Sequence, residues 1–200
     1  MIKAILFDWG GVLTIGMHDL EIVKILESEN KVKMFSHEPD FGSFLDLMDL
    51  SEVTFGEFVE KVNNEFGLSL SDEQMRDVVA RALIPNKDVI DLVRMLSEKY
   101  HVVILTNNSH TTIEILREQH KETIDLFEKL YYSADLGICK PDKEIFEFVA
   151  KDLGVSLSEC VFIDDKEKYA IGAEKAGMKG IVFKNAAQLK KDLESIGVTI

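Results

Sequence analysis

Four short apolar runs occur along the 200-residue chain, and none of them alternates cleanly with polar residues. Continuous apolar runs rich in β-branched or aromatic residues are typical of strands buried on both faces of a parallel sheet. The predicted strands are Ile2–Phe7, Val102–Leu105, Val161–Ile163 and Gly180–Phe183. A weaker candidate strand covers Lys129–Tyr132.

Segments with helical periodicity lie between these strands. Lys87–Tyr100 and Asp142–Leu153 each place their apolar residues on one face, as an amphipathic helix does. Tyr169–Ala176 and Ala187–Ile196 are further candidate helices. Because strands that alternate with helices form βαβ units, we predict an α/β fold with a doubly wound, Rossmann-like parallel sheet.

The stretch between the first two predicted strands has helical rather than strand character. Within it, Ser71 occupies a helix N-cap position, with Glu73 nearby, before an apolar-periodic segment. We therefore predict an α/β core made of residues 1–14 and 86–200, and a small all-helical cap made of residues 15–85.

Composition narrows the class of partner. The chain has 23 Lys and Arg against 36 Asp and Glu, a formal net charge of −13, which argues against nucleic acid and anionic membrane surfaces as partners. No apolar run approaches the roughly 18–20 residues of a membrane-spanning helix, and the sequence starts without a signal-peptide pattern. Two cysteines cannot form a disulfide framework. We expect a cytoplasmic globular protein, monomeric or homodimeric, that acts on a small molecule.

Polar residues follow the predicted strands where an open α/β sheet binds its ligands. Asp8 follows the first strand, Thr106 and Asn107 follow the second, and Asp164 and Asp165 follow the third, while Lys140 precedes a predicted helix. Carboxylates packed closely repel one another unless a cation joins them, and hard oxygen ligands favour Mg²⁺ shared with a substrate phosphate. The residues alone therefore predict a metal-assisted phosphoryl-transfer site.

Each of these residues also has a structural interpretation. A carboxylate after a strand often caps the next helix, so Asp8, Asp164 and Asp165 could act as caps. Asn107, Asn108 and Ser109 suit a turn followed by an N-cap. Their order at successive strand ends favours a shared site over a set of independent caps.

Four segments in this order resemble the haloacid dehalogenase superfamily, in its phosphatase-like branch with a small helical cap inserted after the first strand. They are ILFDWGGVLT, ILTNNS, GICKPDKEIF and FIDDKEKYAIGAEKAGMKGIVF. The resemblance implies that Asp8 is a nucleophile that forms an aspartyl-phosphate. It implies that Thr106, with Asn107 alongside, binds the phosphoryl group, and that Lys140 neutralises the developing charge.

The same resemblance implies a Mg²⁺ ion bound by Asp8, the carbonyl of Gly10 and Asp165, with Asp164 in support through water or by direct contact. Gly10 is a departure, because phosphatases of this family usually have a second aspartate there that acts as general acid and base. The substrate could have a leaving group that needs little help, another residue such as His18 could substitute, or turnover could be poor. Tyr169 also replaces a usual Asn or Asp.

Three functions remain open at this point. The first is Mg²⁺-dependent hydrolysis of a small-metabolite phosphomonoester. The second is a metal-independent haloacid dehalogenase, which the paired carboxylates Asp164 and Asp165 disfavour. The third is a catalytically weak binding or regulatory protein, which Gly10 favours.

Overall fold

The computed structural model describes residues 1–15, 18–30 and 53–200. A five-stranded parallel sheet forms its centre, in the order β3-β2-β1-β4-β5. The strands are β1 (Ala4–Phe7), β2 (His101–Thr106), β3 (Lys129–Tyr132), β4 (Cys160–Asp164) and β5 (Lys179–Val182). With helices on both faces, the sheet confirms the predicted doubly wound α/β fold.

The strand bounds differ from the predicted ones by one or two residues. β1 begins at Ala4, where pairing with His101 and Cys160 begins, and not at Ile2. β5 ends at Val182, one residue before the predicted end. The apolar pattern reports burial, whereas a strand ends where its hydrogen-bond partners end, so the two bounds need not coincide. The weakly indicated third strand has the predicted bounds.

Both faces of β1 are buried, in agreement with its unbroken apolar pattern. Ile5 and Phe7 belong to one hydrophobic cluster, and Ala4 and Leu6 belong to a second cluster on the other face. The helices in chain order are α1 (His18–Asn30), α2 (Phe55–Phe66), α3 (Asp72–Ala82), α4 (Lys87–Ser97), α5 (His110–Gln119), α6 (Lys121–Ile124), α7 (Ser133–Leu136), α8 (Lys143–Asp152), α9 (Glu167–Ala176) and α10 (Ala186–Ser195). Among the described residues, no helix has the length and apolar character needed to cross a membrane.

Helices α1, α2 and α3 lie in the region between β1 and α4. The Ser71 N-cap of α3 is confirmed, since its side chain accepts from the Gln74 backbone, although the reciprocal capping partner is Gln74 and not Glu73. Helix α3 packs against both α1 and α5, and Arg76 of α3 lies 3.2 Å from Glu114 of α5. The division into a core and a cap remains a prediction.

The chain leaves and re-enters the sheet layer through adjacent segments. Thr14 and Pro85 form an antiparallel bridge. The Ile15 amide donates to the Ile84 carbonyl at 2.7 Å, and the Asn86 amide donates to the Leu13 carbonyl at 2.9 Å. This junction therefore lies a few residues after Asp8, at the same edge of the sheet.

Candidate active site

Three acidic residues meet at the carboxyl ends of two central strands. Asp8 follows β1, Asp164 ends β4 and Asp165 comes next. Because β1 and β4 are neighbours in the sheet, the carboxylates come together, each offering an oxygen within 4.8 Å of the others. The predicted acidic residues thus share one cluster.

Lys140 lies between two of these carboxylates. Its Nζ is 2.8 Å from Asp8 Oδ1 and 2.7 Å from Asp164 Oδ2, and the residue is only 2% exposed. Burial disfavours the ammonium form, but the charges of Asp8 and Asp164 outweigh it, so the pKa of Lys140 is raised and the side chain stays charged. Helix α9 approaches this segment closely: a Cβ added at Gly172 would lie 2.7 Å from Pro141 Cβ.

Asp164 is fully buried and both of its oxygens have partners. Oδ2 accepts from Lys140, and Oδ1 accepts from the Lys166 amide at 2.8 Å. Burial, together with the charge of Asp8, raises the pKa of Asp164 to about 7. Burial and Asp8 also raise the pKa of Asp165.

The two pKa values are raised by the same causes, because burial and the neighbouring charge of Asp8 both disfavour a further carboxylate charge. The net negative charge in a partly desolvated site is what a bound cation would neutralise. A cluster of carboxylate oxygens is a suitable donor set for a hard divalent ion such as Mg²⁺. The residues present therefore fit a magnesium site.

Asp165 contacts the loop that follows the nucleophile candidate. A Cβ added at Gly11 would lie 2.5 Å from Asp165 Oδ2, and Gly11 has a φ of +71°, so both space and backbone favour glycine there. The close contact sets Asp165 beside the loop that carries Gly10. Unlike Asp164, Asp165 is only partly buried.

Gly10 differs from Gly11 in both its backbone conformation and the space around it. Its backbone is extended, with φ −65° and ψ 132°, a conformation that any L residue adopts. A Cβ added at Gly10 meets nothing within 4 Å. The glycine at this position is therefore required neither by the backbone conformation nor by packing.

The Asn107 side chain makes two hydrogen bonds to the Lys140 backbone, and its predicted place beside the substrate stays a prediction. Nδ2 donates to the Lys140 carbonyl at 3.1 Å, and Oδ1 accepts from the Lys140 amide at 2.9 Å. This two-point contact fixes the Lys140 segment against the end of β2. Nothing in a single sequence signals such a pairing across 33 positions.

Thr106 ends β2 and is buried. Its hydroxyl accepts a hydrogen bond from Asn108 Nδ2 at 2.7 Å, a contact that the sequence did not indicate. Ser109 follows the predicted pattern, since its Oγ accepts from the Thr112 amide and caps α5.

The other candidates have mostly packing contacts. The Trp9 ring is buried against His120, with 5.7 Å between the ring centroids. The Tyr169 ring is also buried and faces Lys140, whose Nζ lies 4.8 Å from the ring centroid. The side chain of His18 lies outside the described residues.

Two relatives are similar to the chain over most of its length. A sesquiterpene phosphatase of Aspergillus oryzae is 29% identical over 191 residues, which cover 90% of this chain and 88% of that protein. D-ribitol-5-phosphate phosphatase of Bacteroides thetaiotaomicron is 26% identical over 212 aligned positions, which cover 98% of each protein.

The solved structures include the same fold with ligands bound. A wild-type haloacid dehalogenase family enzyme from Bacteroides thetaiotaomicron, in complex with magnesium and inorganic phosphate, matches with a TM-score of 0.70 at 27% identity. The match covers 92% of this chain and 96% of that one. The family of haloacid dehalogenase-like hydrolases itself matches residues 2–177. The chain therefore belongs to the haloacid dehalogenase-like hydrolases, and the family resemblance of its four motifs is confirmed.

Proposed function

We propose that this hydrolase is a Mg²⁺-dependent phosphatase of a small phosphorylated metabolite, acting in the cytoplasm as a monomer or homodimer without a nucleic acid or membrane partner. The observation that carries the proposal is the buried ammonium of Lys140, within 2.8 Å of both Asp8 and Asp164. The two similar phosphatases and the magnesium-phosphate complex of a related enzyme support it.

In the proposed reaction, an oxygen of Asp8 attacks phosphorus, and the bond to the leaving group breaks to give an aspartyl-phosphate that water then hydrolyses. Lys140 holds the Asp8 carboxylate in place and offsets negative charge on the phosphoryl oxygens. The Thr106 hydroxyl donates a hydrogen bond to one of those oxygens. Mg²⁺, which Asp8, Asp165 and the Gly10 carbonyl would hold with Asp164 in support, supplies further positive charge.

The leaving group receives no proton from position 10, because glycine has no side chain. Phosphates whose leaving group is stable without protonation, such as acyl or anomeric phosphates, are therefore the proposed substrates of highest rate. The net charge of −13 repels anionic substrates at long range, so the local positive charge at Lys140 and the metal must bind them.

The test is phosphate release from p-nitrophenyl phosphate and from acyl, sugar and nucleoside phosphates, each with Mg²⁺ and with EDTA. Release that requires Mg²⁺ and is fastest for acyl or anomeric phosphates is the expected result. Silence across the panel would overturn the phosphatase proposal and favour a binding protein. Halide release from 2-haloacids that persists in EDTA would instead favour the dehalogenase.

A further inference from the structure

Asn108 makes a hydrogen bond whose direction is fixed by chemistry. Its Nδ2 lies 2.7 Å from Thr106 Oγ1, and both residues are buried, with 8% and 1% of their surface exposed. An amide NH₂ group can only donate, so the Thr106 oxygen is the acceptor. The hydroxyl proton of Thr106 must then point away from Asn108.

The backbone of Asn108 is held by the segment that follows β3. Its amide donates to Ser133 Oγ at 3.0 Å, and its carbonyl accepts from the Ala134 amide at 3.4 Å. The side chain is thus aimed at Thr106 by a backbone anchored on both sides. These contacts come from the protein itself, so they set the hydroxyl direction.

Among the described residues, no protein group accepts a hydrogen bond from the Thr106 hydroxyl. Thr106 ends β2, at the edge of the sheet that carries the acidic cluster. Phe7 pairs with Ile104, so Thr106 ends β2 two residues beyond this pair, at the same edge of the sheet as Asp8. A phosphoryl oxygen bound to Asp8 is an acceptor of the right kind for this proton.

We propose that Asn108 is a positioning residue that orients the Thr106 hydroxyl so that it donates a hydrogen bond to the phosphoryl oxygen. This role rests on the proposed phosphatase function. A donor oriented before the reaction stabilises the developing charge without reorganisation, so its benefit appears in the transition state more than in substrate binding. Loss of Asn108 therefore lowers kcat and leaves KM nearly unchanged.

The experiment compares Asn108→Ala, the isosteric Asn108→Asp and Thr106→Val, alone and in double variants, on the fastest substrate of the panel. We expect kcat to fall about 10-fold in Asn108→Ala and about 100-fold in Thr106→Val. The kcat of Asn108→Asp should fall about 100-fold, because the new carboxylate accepts a hydrogen bond from the Thr106 hydroxyl and turns it away from the substrate. In the Thr106→Val background, neither Asn108 substitution lowers kcat further.

Ser109→Asp is the matched control for added charge. Aspartate also caps a helix, so this variant places a carboxylate one position further along the chain without touching Thr106. Its kcat should stay within about twofold of the wild type, and a larger fall would show that an added charge near the site lowers kcat without any contact to Thr106. Effects of Asn108 and Thr106 substitutions that multiply, or wild-type kcat in Asn108→Ala, would overturn the positioning role.

A neutron structure of the wild-type protein tests the same point without any turnover. Deuterium on Thr106 Oγ that points away from Asn108 supports the proposal, and deuterium on a line to Asn108 Oδ1 contradicts it. An inactive wild type with the expected deuterium position would thus remove the phosphatase function and keep the hydroxyl direction. An active wild type whose deuterium points at Asn108 Oδ1 would keep the phosphatase function and remove the positioning role of Asn108. If Asn108→Ala fails to fold, as thermal melting would reveal, Asn108→Asp and the neutron structure carry the test.

Discussion

Lys140 Nζ lies 2.7 Å from Asp164 Oδ2, and the two side chains are 1% and 0% exposed. An ion pair removed from water in this way contributes little net stability, because desolvation offsets the attraction between the charges. Its effect is positional, since Asp164 holds the ammonium where it also reaches Asp8. Asp164 thereby acts on Asp8 through Lys140, besides any contact with a metal ion.

Asp8→Asn should abolish phosphate release and leave the fold intact. The amide has nearly the volume of the carboxylate but is not a nucleophile for phosphorus. Phosphate release measured with Mg²⁺, beside a thermal melting curve, checks both statements. Undiminished turnover in this variant would remove Asp8 from the role of nucleophile.

Lys140→Met should destabilise the protein as well as inactivate it. The substitution leaves the buried carboxylates of Asp8 and Asp164 without their counter-charge, a situation that typically costs about 3–5 kcal/mol. Urea denaturation in EDTA measures the loss, and Mg²⁺ should recover part of it, since the ion replaces the missing positive charge.

Lys168→Met is the matched control for that variant. Lys168 also lies against the Tyr169 ring, with its Nζ 4.7 Å from the centroid, but the residue is exposed. Its loss should change the free energy of unfolding by less than about 0.5 kcal/mol. Equal effects of the two substitutions would contradict the importance of the buried charge balance.

Gly10→Asp should be tolerated and should widen the range of substrates. The backbone at Gly10 suits any residue and an added Cβ meets open space, so a carboxyl group can be introduced two positions after Asp8. General acid catalysis contributes typically 10²–10⁴-fold, so we expect hydrolysis of alkyl phosphates to rise by at least about 10-fold. Acyl phosphates should change little.

Gly11→Ala provides the comparison, one position along the chain. Here the methyl group would lie 2.5 Å from Asp165 Oδ2 on a backbone with φ +71°, so we expect a loss of about 1–2 kcal/mol of stability. The melting temperatures of Gly10→Asp and Gly11→Ala, each compared with the wild type, measure the two losses of stability. A Gly10→Asp protein that is as destabilised as Gly11→Ala would show that position 10 is not open.

The stabilising effect of Glu159 should be lost as the pH falls into the acid range. Its hydrogen bond to Lys3 is the main reason that the pKa of Glu159 falls to about 2, and Lys3 Nζ lies 2.6 Å from Glu159 Oε1. A depressed folded-state pKa stabilises the protein above the unfolded value near 4.5, and this stabilisation is lost as the pH falls towards 2.

Glu159→Gln tests this pH dependence, because the amide keeps an oxygen that can accept the hydrogen bond from the Ser156 amide. The variant should have a lower urea midpoint than the wild type at pH 6, and the gap should narrow at pH 3. A gap that stays constant over this range would assign the loss to packing and not to charge.

The sheet could be predicted because its strands are buried on both faces, a condition that leaves unbroken apolar runs in the sequence. The acidic cluster followed from the same runs, since a parallel sheet brings the residues after neighbouring strands to one edge. Asp8, Asp164 and Asp165 are therefore predictable from local sequence and topology. Lys140 follows no strand but precedes a predicted helix, and its role beside the carboxylates came from the family resemblance.

The contacts of Asn107 and Asn108 could not be predicted. Both residues suit a turn before a helix, and which partner each side chain contacts depends on the position of the Lys140 and Ser133 segments, far along the chain. The open space at Gly10 is likewise a tertiary property. The family resemblance indicates which side chain is missing at position 10, whereas only the packing shows that this side chain would fit.

The bridge between Thr14 and Pro85 has a consequence for how such enzymes diversify. Because Ile15 and Ile84 are joined by a backbone hydrogen bond, the chain leaves the sheet layer and returns to it at one place. The joined ends fix where the intervening segment begins and ends, so a change in its length leaves the register of β1 in place. Substitutions between Ile15 and Ile84 can therefore accumulate separately from those at the sheet edge that carries Asp8.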